Sequence, residues 1–334
     1  MHITFLALLH LLLTATPLHS QEVSTYHELS KHYFDHYALS SDHMDWKNQP
    51  TPHRTFGQSI THLPFPPTTT TQNPKHLYSD LFTATTTSKP FTFQNIADLL
   101  YFSFALSGKK KAGRGDGWNL RVNPSSGNLH PVEVYLLLPP DTVQAAETPG
   151  LYHYNALHHG LEQRATFSSF PTTPTNDTAH IYVALTAVFW RQSWKYGVRA
   201  FRYCELDIGH AIAALSLAAK RNGWHLEATT ELDAQQLDQL LGLNERGSHQ
   251  GSYPGEQEES EILFRLSKIV GDDEEGVCRQ EKVKEAETVL DKWVGAKAVY
   301  HGRANHLSPA GSHHAWPQIR KIADATKNSN VQQQ

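Results

Sequence analysis

Arg121-Val122-Asn123-Pro124-Ser125-Ser126-Gly127-Asn128-Leu129-His130-Pro131 leads straight into Val132-Glu133-Val134-Tyr135-Leu136-Leu137-Leu138, and the reading of this junction decides the fold. Pro and Gly make the first part a tight turn; the second part is a β-strand halted by Pro139-Pro140. Ile181 to Val188 is a second strand of the same near-continuous apolarity, which predicts a sheet covered on both faces. Upstream, Thr92 caps a helix carrying Ile96, Leu99 and Leu100 and ending near Gly108. Downstream, Ile208, Ala211, Ile212, Leu215 and Ala219 recur at helical spacing, and Ala213, Ala214 and Leu217 make the other side apolar, predicting a buried central helix closed by Asn222-Gly223. Asp233-Ala234-Gln235-Gln236 starts a further helix that Gly242 stops.

The turn gathers two hydroxyls, an amide and backbone N–H groups, a mix suited to a polar ring edge or a phosphate, although the same residues also favour plain loops. Beyond the second strand, a polar and aromatic collar runs from Trp190 to His210. Arg199 and Arg202 are three apart, share a helical face and could clamp a phosphate. Lys195 and Tyr196 could supply a proton or steady developing charge. Asp207 could pair with Arg199 or Arg202 as internal architecture, which would leave fewer cations for a phosphate; His210 is expected to be a satisfied core histidine and Cys204 a small buried apolar residue.

The matching pieces Arg121-x-Asn-Pro-Ser-Ser-Gly-Asn-Leu-His-Pro-Val-Glu-Val-Tyr, Gly150-Leu-Tyr-His-Tyr154, Lys195-Tyr-Gly-x-Arg199-x-x-Arg202-Tyr203 and Leu206-Asp-x-Gly-His210 resemble the SagB-type dehydrogenases of the nitroreductase superfamily, which include thiazole- and oxazole-forming peptide dehydrogenases. That resemblance covers about residues 91–245 and implies an α+β fold: a central, mostly antiparallel sheet flanked by helices around the buried helix. It further implies noncovalent FMN, hydride exchanged with an organic or peptide substrate, and NAD(P)H as a candidate electron donor. Carried over, Ser125, Ser126, Gly127 and Asn128 would contact FMN, Arg121, Arg199 and Arg202 would hold its phosphate, and Lys195 with Tyr196 would be catalytic. Family sites lie between two units, so a homodimer or a second nitroreductase unit is expected. The tail from Trp293 to Pro317 resembles the linker of tandem members, and the paired Arg near the start of simpler nitroreductases is not visible around Lys89-Pro90-Phe91. A noncatalytic half-protein that uses the fold as an interaction module is the rival reading.

A net charge of -4 supplies no general attraction for nucleic acid. Met1 to Leu13 is apolar and resembles a cleaved secretory signal ending near residue 21, too short for a confident membrane span; Asn176-Asp177-Thr178 would then be a glycosylation sequon. With a Pro/Thr-rich wrapping extension over 22–90, the FMN domain would fill 91–270 and a C-terminal extension 271–334, including an exposed helix from Glu281 to Trp293. Lys109-Lys110-Lys111 is expected in a solvated mobile loop. His27-Glu28-Leu29-Ser30-Lys31-His32 is one residue too long for a zinc helix, and no third ligand accompanies His32 and His36, so a metal site is disfavoured. The chain has no GxSxG elbow, and Gly113-Arg114-Gly115-Asp116-Gly117 follows no strand, which disfavours serine hydrolase and Rossmann readings.

Overall fold

The structure, a computed structural model, describes residues 17–67, 78–82, 88–111, 117–139, 149–168, 180–243, 256–268, 290, 293–308 and 316–327. The apolar start up to residue 16, the Asn176 sequon and most of the helix expected from Glu281 lie outside them. Trp293, expected on an exposed helix, is fully buried against Phe167.

Eight strands form one sheet. They are β1 (Ile60–His62), β4 (Val132–Leu138), β5 (Gly150–Asn155), β6 (Gly160–Phe167), β7 (His180–Val188), β8 (Trp224–Thr229), β9 (Glu258–Lys268) and β10 (Ala298–Tyr300). The order is β1-β6-β5-β4-β7-β9-β8, and every pairing is antiparallel. With β5 on one edge of β6, the other edge is shared end to end: β1 takes Gly160 to Glu162 and β10 takes Ala165 to Phe167.

The apolar strands are buried on both faces, as the sequence predicts. Val132, Val134 and Leu136 alternate with Tyr135 and Leu137, and Ile181, Val183 and Leu185 with Tyr182 and Ala184, so each strand feeds two cores. On one face lie α2 (Phe93–Phe104) and α4 (Ala200–Arg221); on the other, α5 (Ala234–Leu241) with Phe56, Leu290 and Trp293. Thr92 caps α2 by accepting the Asn95 N–H, and Asp233 and Gln236 complete a capping box on α5 before Gly242 adopts φ +69°.

Three local expectations change. The chain after α2 forms a hairpin of β2 (Leu106–Lys110) and β3 (Trp118–Arg121) rather than a loop, although Lys109, Lys110 and Lys111 are solvated. Helix α4 is central but buried on one stripe only, since Leu206, His210, Ala213 and Leu217 are exposed. Phe56, inside the expected wrapping extension, is a core residue. Near the ends, α1 (Pro17–Leu29) packs with α6 (Pro317–Thr326) through Tyr26, Ala38, Val198 and Ile322. No helix among the described residues is long and apolar enough to cross a membrane.

Candidate active site

The turn before β4 is held by a single carboxylate. Asp207 on α4 accepts the Ser125 hydroxyl at 2.8 Å, the Ser126 N–H at 3.0 Å and the Gln192 amide at 2.6 Å. Burial raises the Asp207 carboxyl above its usual value despite these bonds. Ser125 Oγ in turn accepts the His130 N–H, while Asn128 donates to the Asn119 carbonyl and accepts from His130 Nε2. Asp207 thus organises the turn rather than pairing with Arg199 or Arg202. Three positive φ values let the chain fold back: Gly127 at +66°, Asn128 at +58° and His130 at +47°.

Helix α3 (Phe189–Tyr196) delivers the predicted Lys195 and Tyr196 to this turn. A Cβ added at Gly127 would lie 2.8 Å from the Tyr196 hydroxyl and 3.1 Å from Lys195 Nζ, so the absent side chain is what admits both groups. Tyr196 stacks on Tyr203 at 4.1 Å, and burial, then Tyr203 and Asp207, raise its hydroxyl above the usual tyrosine value.

A cavity of about 550 Å³ opens beside this contact. Gly127, Asn128 and Lys195 line it together with Trp46, Trp118, Trp194 and His53. Trp194 donates to the Asp45 carbonyl at 2.9 Å and meets Trp46 edge to face at 5.5 Å, fixing residues 45–53 as a wall. His53 is held neutral, its pKa lowered to about 4 by burial and then by Arg121 and Arg191. Sequence reasoning missed Trp46, His53 and Trp118. The aromatic Asp45-Trp46-Lys47-Asn48-Gln49-Pro50 run was their one visible signal.

The predicted phosphate residues are deployed elsewhere. Arg121 is buried, donating to the Pro52 and Val132 carbonyls. Arg199 donates to the Ser30 carbonyl and Arg202 to the Ser30 hydroxyl, each at 2.8 Å. The two do share a side, as their spacing requires, but their common partner is the end of α1, and neither lines the cavity. The cations lining it are Lys109 and Lys195. His210, expected in the core, is exposed on α4, whereas Cys204 is buried.

Behind the cavity, Arg191 binds three of its surroundings at once. It donates to the Thr51 carbonyl at 3.0 Å, the His130 carbonyl at 2.7 Å and the Glu133 carboxylate at 2.5 Å. Glu133 is bridged by His153 to Glu162, at 2.9 and 3.2 Å. This charged chain is buried throughout, so each lost partner would strand a charge.

Residues 110–251 match the model of the nitroreductase family. Trifolitoxin-processing protein TfxB of Rhizobium leguminosarum bv. trifolii is 29% identical over 134 residues, 36% of this chain and 35% of that protein. The crystal structure of a candidate nitroreductase from Anabaena variabilis is similar with a TM-score of 0.56 at 19% identity, covering 93% of this chain and 55% of that one. The E. coli microcin synthetase McbBCD complex, with truncated pro-MccB17 bound, gives a TM-score of 0.43 at 18% identity over 78% of this chain and 97% of that one. The chain therefore spans about a third of the curated relative and about half of the Anabaena protein. Family match, antiparallel sheet and turn agree: over residues 110–251 the chain is similar to the nitroreductase family, its fold is nitroreductase-like, and it carries the SagB-type motifs read from its sequence.

Proposed function

We propose that this chain is an FMN-dependent oxidoreductase of the SagB type, acting on an organic or peptide substrate. The observation that carries the reading is the contact of Lys195 and Tyr196 with Gly127 at the wall of the 550 Å³ cavity. Its volume lies within the range of about 300–1,000 Å³ usual for small-molecule pockets. The residues fit the ring part of a flavin: three indoles offer flat apolar faces, the Asn128 amide is held in place at the wall by Asn119 and His130, and the buried Asn123 Oδ1 and Gln192 Oε1 near the turn have no hydrogen-bond partner.

Gly127, Asn128 and Ser126 would hold the ring edge, with Lys195 and Lys109 as the cations at hand for a phosphate or a substrate carboxylate. Bound FMN would supply the hydride chemistry, NAD(P)H being a candidate donor. Tyr196, its hydroxyl proton retained by burial, is suited to donate a hydrogen bond or a proton, and Lys195 to steady negative charge. A peptide substrate accords with the processing role in the name of the Rhizobium relative. The exposed Leu206, His210, Ala213 and Leu217 of α4 form one stripe at helical spacing, a surface for a second copy or another nitroreductase unit.

The engagement of Arg121, Arg199 and Arg202 within the chain favours a second reading, a noncatalytic interaction module. One preparation separates the two. The chain purified with FMN and examined by visible spectrum and native mass is expected to carry flavin as a dimer; a colourless monomer that takes up no added FMN would establish the module instead.

A further inference from the structure

A second cavity, of about 420 Å³, lies between α4, β8, β9 and α6 and shares no lining residue with the pocket beside Lys195. Phe201, Ile212, Leu226 and Ile262 give it largely apolar walls. Into this lining comes a carboxyl. The pairing of β7 with β9 passes from Leu185↔Ile262 to Thr186↔Ser260, which leaves Glu261 as the extra residue of a bulge. A bulge re-aims a side chain out of the strict alternation of a strand. Here it puts Glu261 in the cavity wall.

Glu205, solvent-exposed on the same stripe of α4 as Phe201, Ile212 and Ser216, is near enough to Glu261 for the two carboxyls to influence one another's titration. Burial, then the charges of Glu205 and Glu259, push the Glu261 carboxyl well above the usual range. Two carboxyls so coupled that bind one proton between them carry one net negative charge. The neighbouring cations are already engaged. Lys327 pairs with Glu259 and with Asp238, and Arg320 with Glu259 and Asp324. The two cations thus answer three other carboxylates; Lys327, which also lines the cavity beside Glu259 and acts on Glu261, is bonded to Glu259 and Asp238 rather than to the Glu205–Glu261 pair.

We propose that this cavity binds a small amphiphilic amine, its apolar body between α4 and the β8–β9 end of the sheet and its ammonium on Glu261. Charge complementarity selects this occupant: a carboxyl lining apolar walls gains from an ion-paired partner, and an apolar body alone would leave the charge unanswered. The volume suits a molecule of one ring and a short chain. The incoming ammonium displaces the shared proton to solvent. Affinity therefore rises with pH until the ligand's own amine, with a pKa of roughly 10, deprotonates.

The test uses the full chain and three probes with one ring and different ends: 2-phenylethylamine, 2-phenylethanol and 3-phenylpropanoate. Titration calorimetry at about pH 8 is expected to give roughly tenfold tighter binding of the amine than of the alcohol, the scale of one charged hydrogen bond, with the carboxylate weakest. E261Q should erase the preference without weakening the alcohol, and Ile212→Trp should fill the space and remove binding of both. Equal affinity for amine and alcohol, a preference that survives in E261Q, or no binding of the amine by the wild-type chain would each overturn the proposal. Should E261Q not fold, an amine affinity that stays flat between about pH 5 and 8 in the wild type would overturn it as well.

Discussion

Arg191 and Glu133 form an ion pair in which neither side chain meets solvent, and that pair joins the helix bearing Lys195 and Tyr196 to the strand that follows the Ser125–Gly127 turn. The same guanidinium reaches Thr51 beside the His53 wall and His130 at the end of the turn. Three separate stretches of chain are therefore registered against one side chain. A planar guanidinium can do this where a lysine could not, because its donors point in several fixed directions.

Glu133→Gln should destabilise the fold by about 3–5 kcal/mol, because it leaves Arg191 and His153 buried without their shared carboxylate. Burial would raise the Glu133 pKa, but the Arg191 charge and the His153 bond outweigh it and hold the carboxyl well below the usual range. Its contribution is thus complete above the unfolded value of about 4.3 and is lost as pH falls below it. Urea midpoints measured from neutral to acid pH should fall less steeply in the variant. A midpoint at neutral pH equal to wild type would remove the ion pair from the account of stability.

His153 titrates in the opposite sense. Burial lowers its pKa, but hydrogen bonds to Glu133 and Glu162 prevail and the net shift is upward. Its stabilising contribution is complete below the unfolded value of about 6.5 and is lost as pH rises through the folded one. His153→Gln should flatten the alkaline decline of stability, read as thermal midpoints across neutral and alkaline pH.

Gly127→Ala combines a left-handed backbone with a Cβ that meets Tyr196 and Lys195. A cost of about 1–3 kcal/mol is expected, together with displacement of both side chains. Tyr196→Phe, which removes one hydroxyl and leaves the turn intact, separates the two effects. On the proposed function, G127A loses flavin affinity and reduction rate together, Tyr196→Phe slows flavin reduction by about 10²-fold or more with binding retained, and Lys195→Ala slows reduction to a similar extent while also weakening binding, since Lys195 is one of the two cations lining the cavity. Wild-type rates in both of the latter would remove the pair from the mechanism.

Arg199→Ala and Arg202→Ala should loosen the end of α1, since each removes a bond to Ser30. Hydrogen exchange over residues 22–30 is expected to quicken in both. A fall in flavin occupancy with unchanged exchange there would reinstate these arginines as a phosphate clamp.

The strands and caps were legible in the sequence because their determinants are local. Val132–Leu138 is an uninterrupted apolar run, Thr92 and Asp233 are N-caps that precede helical periodicity, and Gly242 is a stop. That Lys195 and Tyr196 would stand at one site with Gly127 was an implication of the family resemblance, not of spacing or periodicity. What escaped was long-range. Nothing in the spacing of Arg199 and Arg202 reveals that Ser30 competes for them, and nothing at Asp207 reveals that it faces Ser125, 82 positions away. His53 looked like one of 22 scattered histidines until the fold brought it beside Lys195. The half-exposed α4 was misjudged for another reason: apolar residues on both sides of a helix predict burial, but not against which chain.

The shared outer edge of β6 has a practical consequence for anyone dividing this protein into pieces. Residues 60–62 and 298–300 dock on one strand from opposite ends of the sequence, and Trp46 and His53 belong to the pocket wall. A fragment trimmed to the 110–251 stretch recognised by similarity would bare a backbone edge ready to pair with other molecules, and would open the pocket on one side. Expression boundaries are better chosen by hydrogen bonding than by homology.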